Sequence, residues 1–322
     1  EFFWAGKRVE MSKNTNKIVN RKGVCVVPHE HEIRLAAFKW LEEQTAFDDV
    51  LPRTLLEKGF TYQGQRVTLI GPQGIWKPKV FKSIPLSITT TPKSAYGDRF
   101  QDGFLLYAYR GTDPRHRDNV GLSLARAGQT PLIYFHGIMP GKYVAAWPVY
   151  IVAEDPRSLF FSVAVDDRVI NFAQDTYSEV EDDARRRYIT STFNVRLHQR
   201  SFRVRVLEAY RNQCAFCRLR HAELLDAAHI IPDRELGGEP LVPNGLSLCK
   251  IHHAAFDRHF IGVSPDYEIY VHTDLLHEQD GPMLRHGIQE LHRTRLILPK
   301  DPRQAPDRDR LAVRFEQFLR AI

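Results

Sequence analysis

Cys214, Cys217, Cys249 and His252 form two short groups, a C-x-x-C knuckle and a C-x-x-H pair further along the chain. Three thiols and an imidazole at these spacings are the soft and borderline ligands that a tetrahedral structural zinc takes. His229, Asn244 and His253 are interleaved with them but belong to neither knuckle. Asp257 stands four residues after His253, so on a helix both side chains project from one face and can chelate a single ion. A nitrogen and an oxygen ligand together suit magnesium, manganese or a later transition ion.

The elements that must position these residues are short. CAFC, LLDAAHIIP and PNGLSLCKIHHAAFD, within residues 205–270, resemble the HNH nuclease family. The resemblance implies an α+β fold in which two short strands and a helix grip one catalytic metal (ββα-metal), here stabilised by zinc. It makes His229 the general base on the first strand, Asn244 the middle signature residue in the loop that follows, and His253 a metal ligand opening the helix. The chain departs from the family at Ala228, where many members have a metal-binding His or Asp. Asp226, two residues earlier on the same strand face, is the expected replacement, so the expected catalytic ion has Asp226, His253 and Asp257 as ligands. Phosphodiester hydrolysis needs an activated water, and a neutral imidazole with a pKa near ~6.5 is a suitable base at physiological pH. The Asn244 amide cannot act as a base, so its expected task is to hold the base strand or His229 in place. His221, His259, His272 and His277 lack motif context and read as surface or packing residues, and the isolated Cys25 as a buried small hydrophobe.

At 322 residues, 43% of them hydrophobic, the chain has room for two ordinary domains. Four cysteines, three of them assigned to zinc, leave no disulfide framework, which points to a reducing, cytoplasmic setting. No apolar run approaches the ~20 residues of a membrane span. The opening EFFWAGKRVE is too short and charged for a signal peptide, and Met11 is a candidate natural start. A net charge of +6 favours a polyanionic partner. Arginines crowd the approach to the zinc knuckle, and Arg200, Arg203 and Arg211 are candidates to contact the DNA backbone.

Residues 32–60 read as helical, with Ile33, Ala36, Ala37, Trp40 and Leu41 at helix spacing. From Thr61 the pattern changes to aromatic and β-branched runs such as GFLLYAY, PLIYFHGI, KYVAAWPVYIVAE and LFFSVAV. These predict a mostly antiparallel, curved sheet, partly closed into a barrel. Within it, Tyr96 to Gly103 followed by FLLYAYRGTDP resembles the SRA domain of the PUA-like β-barrels, over residues 65–170. That resemblance implies a pocket that flips a modified cytosine such as 5-methylcytosine out of the duplex. Tyr96 and Tyr109 would stack on the base and Asp98 would accept from its exocyclic amine.

The expected organisation is a basic tail over residues 1–22, the SRA-like domain over 23–170, a linker helix over 171–200 and the nuclease with a helical tail over 201–322. Taken together, the two resemblances imply a modification-dependent restriction endonuclease acting on double-stranded DNA. A homodimer is expected, because two scissions are needed to cut both strands. Two other readings remain open: an HNH nuclease specific for an unmodified sequence or structured nucleic acid, and a non-catalytic zinc-stabilised reader.

Overall fold

The computed structural model describes residues 18–19, 25–26, 28–46, 48–91, 99–166, 179–279 and 281–321. Tyr96, Asp98, the tail before Ile18 and the side chain of Cys25 lie outside the described residues. The chain divides into two compact units, residues 1–195 and 196–322. No described helix is long and apolar enough to cross a membrane.

The first unit runs β1 (Ile18–Val19), β2 (Cys25–Val26), α1 (Pro28–Gln44), β3 (Val50–Pro52), α2 (Arg53–Lys58), β4 (Phe60–Tyr62), β5 (Gln65–Val67), β6 (Ile75–Trp76), β7 (Ser87–Thr90), β8 (Arg99–Gln101), β9 (Phe104–Ala108), α3 (Arg117–Gly128), β10 (Leu132–Met139), β11 (Lys142–Asp155) and β12 (Phe160–Val165). The main sheet has the order β6-β7-β10-β11-β12-β9-β8, with β3 paired to β11. The aromatic and β-branched runs of the sequence are its central strands. β7 and β10 pair in parallel and the other neighbours are antiparallel.

Among the described residues the terminal strands β6 and β8 do not pair, so the expected partly closed barrel is instead an open sheet. Helices on both faces give the physical reason. Ile33, Ala37 and Leu41 of α1 bury against Ile133 and Phe135 of β10. Leu122 and Ala125 of α3 bury against Tyr134 and Ile151 on the other face. A sheet covered on both sides needs no closure to hide its apolar surface.

The expected linker helix runs on into the nuclease as one helix, α4 (Glu179–Ala209), 31 residues long. No Gly or Pro interrupts the segment, so nothing breaks its hydrogen-bond ladder. The division between the units falls inside this helix, a few residues before the expected boundary at 200/201.

The second unit continues with β13 (Leu225–His229), β14 (Gly245–Cys249), α5 (Lys250–Asp257), β15 (Ile261–Val263), β16 (Ile269–Val271), α6 (Thr273–His277), α7 (Pro282–Gly287) and α8 (Arg308–Ala321). β13 and β14 are antiparallel, with Leu225 opposite Cys249 and His229 opposite Gly245. Their hairpin packs on Phe202, Val206 and Tyr210 of α4 through Leu225, Ala228, Leu246 and Leu248. A Cβ at Gly245 would lie 2.5 Å from Val206 and 2.8 Å from Phe202, so only glycine lets α4 come this close to the strand facing His229. The C-terminal helix packs back on this core, as its apolar face predicts, burying Leu311 and Phe318. Leu319, placed on the same face by spacing, is exposed.

Candidate active site and metal centres

The knuckle, β14 and α5 build the first metal centre. Cys214 and Cys217 flank a tight turn in which the Arg218 amide donates to the Cys214 carbonyl at 3.0 Å. The Ala215 amide donates to Ser247 on β14 at 2.7 Å, tying the turn to the hairpin. Cys249 ends β14 as the N-cap residue of α5, and His252 lies in the first turn. The ligand atoms of Cys214, Cys217, Cys249 and His252 all fall within 4.8 Å of one another. Nδ1 of His252 faces Cys214 Sγ at 3.4 Å and Cys249 Sγ at 3.2 Å, while Nε2 donates to the Gly287 carbonyl at 2.6 Å. A backbone acceptor on the far ring nitrogen is how metal-binding histidines are usually oriented. Three thiols and one imidazole, three of the four buried, fit a structural zinc.

His253, the next residue, points about 100° away around the helix and serves a different site. Nε2 of His253 is 3.3 Å from Asp257 Oδ2. Two neighbouring ligands on an octahedral ion with bonds of about 2.1 Å lie about 3 Å apart, so this pair fits one divalent cation. Asp226 is placed differently from the expectation. Its Oδ2 lies 3.5 Å from Nδ1 of His253, on the opposite edge of the ring from Asp257, and accepts from Lys250 Nζ at 2.6 Å. Its Oδ1 is 3.7 Å from Arg203 Nε. The two carboxylates therefore cannot share one ion through His253, and Asp226 holds the far edge of the ring. Burial would raise the Asp226 carboxyl, but Lys250 and His253 outweigh it and hold it below the usual carboxylate range.

His229 ends β13, half-buried, with the Phe202 ring stacked on it at 4.0 Å and 21°. Burial lowers its pKa, with Asp233 opposing, His253 adding to the lowering, and Asp257 opposing. His253 and Asp257 are thus electrostatic neighbours of this ring. Its buried Nε2 makes no hydrogen bond to a described group, so the neutral ring keeps a nitrogen uncommitted.

Asn244 is fully buried and braces the segment that leaves His229. Its Oδ1 accepts from the Ile231 amide at 2.9 Å, and its Nδ2 donates to the carbonyls of Ile231 at 3.0 Å and Glu239 at 3.2 Å. Asn244→Ala would orphan the buried amide and carbonyl of Ile231 at about 1–3 kcal/mol each. The expected result is a lower urea midpoint with unchanged zinc content; a midpoint equal to wild type would contradict the bracing role.

The three arginines assigned to DNA differ. Arg203 donates through Nη2 to the carbonyls of Ala222 at 2.9 Å and Leu225 at 3.0 Å, so it staples α4 to the start of β13. Arg200 and Arg211 are exposed. Of the base-pocket candidates, only Tyr109 is described. It is buried, stacked on Phe161 at 4.4 Å, and donates its hydroxyl to Glu154. That ring belongs to the core of the first unit and not to an open pocket. Phe202 completes the site from outside any motif, and Gly245 and Lys250 do so from within the PNGLSLCKIHHAAFD run.

Residues 214–264 match the HNH endonuclease family HNH_2. The second unit carries an HNH endonuclease domain. The match spans the Cys3His cluster, His229, Asn244, His253 and Asp257, and supports an endonuclease. A solved structure titled "Modification dependent TagI restriction endonuclease" is similar at 15% identity, covering 73% of this chain and 82% of that one, with a TM-score of 0.27. No curated protein matches the sequence.

Proposed function

We propose that the protein is a modification-dependent DNA endonuclease whose HNH domain hydrolyses phosphodiester bonds and whose first unit selects duplexes carrying a modified cytosine. The observation that carries the catalytic half is the juxtaposition of a neutral, half-buried His229 with the His253–Asp257 pair. A divalent ion such as Mg2+ or Mn2+, bound by that pair, would supply Lewis-acid stabilisation of charge on the phosphate and the leaving oxygen. His229 takes a proton from the attacking water as the water oxygen bonds to phosphorus. The phosphorus–O3′ bond then breaks and the departing oxygen is protonated from solvent. Asp226 fixes the His253 ring from its Nδ1 edge, Lys250 and Arg203 neutralise Asp226, and Asn244 holds the backbone beyond His229. The structural ion at the Cys3His centre is taken to be zinc, which sets the start of α5 and with it the position of His253.

The recognition half rests on the SRA-like motif. Tyr96 and Asp98 are its remaining carriers, as base-stacking face and as acceptor for the exocyclic amine of cytosine. A homodimer, each copy cutting one strand, fits one ion per HNH site. A digestion panel of otherwise identical plasmids bearing cytosine, 5-methylcytosine, 5-hydroxymethylcytosine or glucosylated cytosine tests the reading. Selective cutting of at least one modified plasmid is expected. Equal cutting of all four would instead favour an HNH nuclease specific for an unmodified sequence. No nicking with magnesium or manganese would leave a zinc-stabilised reader.

A further inference from the structure

We infer that Arg314, on the C-terminal helix and outside the HNH-matching segment, is a positioning residue for the metal-binding end of α5. The inference rests on the reading of Asp257 as a ligand of the catalytic ion. α8 is fixed by Leu311 and Phe318, which are fully buried or nearly so. Phe318 lies where a Cβ on Gly262 would approach its ring to 2.5 Å, so β15 has no side chain in the way and the helix seats close. This seating carries Arg314, 8% exposed, to the C-terminal end of α5. Its Nη2 donates to the carbonyls of Phe256 at 3.1 Å and Asp257 at 3.3 Å. Its guanidinium lies 5.0 Å from the centre of the Phe256 ring, and Nη1 reaches Gln317 Oε1 at 3.4 Å.

α5 has only eight residues, and the last carbonyls of a helix have no partner within it. A guanidinium at that end donates to two of them, the Phe256 carbonyl also accepting from the His259 amide at 3.2 Å, and complements the negative end of the helix dipole. The same contact fixes the backbone of Asp257, and therefore where its carboxylate stands relative to His253 Nε2. Lysine could keep the charge but has neither the planar face for Phe256 nor the fork for two carbonyls. The tail is thereby part of the nuclease site, although it contributes no atom to the reaction.

The test uses the full-length, zinc-loaded protein and Mn2+ as the probe. Mn2+ binding is titrated by electron paramagnetic resonance, and cleavage is followed against Mn2+ concentration, for wild type, Arg314→Met, Arg314→Lys and Asp257→Asn. Outer partners of metal ligands typically change affinity by about 10–100-fold. Arg314→Met is expected to weaken Mn2+ about tenfold, with KM for DNA unchanged and kcat largely restored at saturating Mn2+. Arg314→Lys is expected between the two. Wild-type Mn2+ affinity in Arg314→Met, with Asp257→Asn weakened, overturns the positioning role and leaves Arg314 as a packing residue. Wild-type affinity in Asp257→Asn instead overturns the ligand assignment beneath it. If Arg314→Met loses its zinc or its helical circular dichroism, the same titration on Arg314→Lys decides, weakened binding supporting the role and unchanged binding rejecting it.

Discussion

His229→Ala is expected to lower the cleavage rate by about 10²–10⁴-fold, the usual contribution of a positioned general base, while DNA affinity and zinc content stay at wild-type levels. The size follows from the environment of the ring. His229 is stacked on Phe202, and its Nε2 makes no hydrogen bond to a described group, so that ring nitrogen is not committed to another partner. The pH dependence has a definite sign. Burial holds the His229 pKa below its ordinary value of ~6.5, which makes the ring neutral and competent at pH 7. Cleavage should therefore rise with pH through a limb lying below ~6.5 and be flat above it. His229→Ala should lose that limb. A single-turnover pH profile measures both effects, and a variant that keeps the wild-type rate and limb would remove His229 from the mechanism.

Loss of the Cys3His ion is the second large effect, and it acts on the fold. Apparent binding free energies of structural zinc reach about 10–16 kcal/mol, comparable with the whole stability of a domain at about 5–15 kcal/mol. The ion's ligands come from the knuckle, the end of β14 and the first turn of α5, so it joins three segments that share one small core. Cys249→Ser is expected to unfold residues 196–322 as a unit while the sheet of residues 1–195, which has two cores of its own, stays folded. Hydrogen exchange resolves the two units, and metal analysis should give one zinc per wild-type chain and less in the variant. Adding Mn2+ should not restore cleavage. Native-like protection across β13, β14 and α5 in Cys249→Ser would show that the cluster is dispensable to the fold.

The sequence was most informative where function depends on local geometry. A C-x-x-C turn, adjacent histidines and an i,i+4 His–Asp pair are set by the pitch of a turn and a helix, so their spacing alone predicted the Cys3His cluster and the His253–Asp257 pair that the fold brings together. The same holds for Asn244, whose buried amide could be expected to hold the chain beside His229. Long-range packing decided the rest. Whether Asp226 reaches the ion or the far edge of His253 depends on Lys250 and Arg203, which arrive from α5 and α4. The Phe202 ring over His229 and the Arg314 contact under Asp257 come from helices far along the chain, with no local pattern to announce them.

In the first unit, the aromatic and β-branched runs predicted the strands, because such side chains suit a pleated, half-buried surface. They could not tell an open sheet from a closed one, since closure depends on what covers the faces. Here helices cover both, and Tyr109, a plausible base-stacking residue by motif, is buried against Phe161. Sequence by itself determined the chemistry available to this protein, because ligand type and local spacing are covalent facts. Only the tertiary structure decided that Asp257 stands at the Nε2 edge of His253 and Asp226 at the Nδ1 edge, because that choice rests on contacts between residues the chain brings together only by folding.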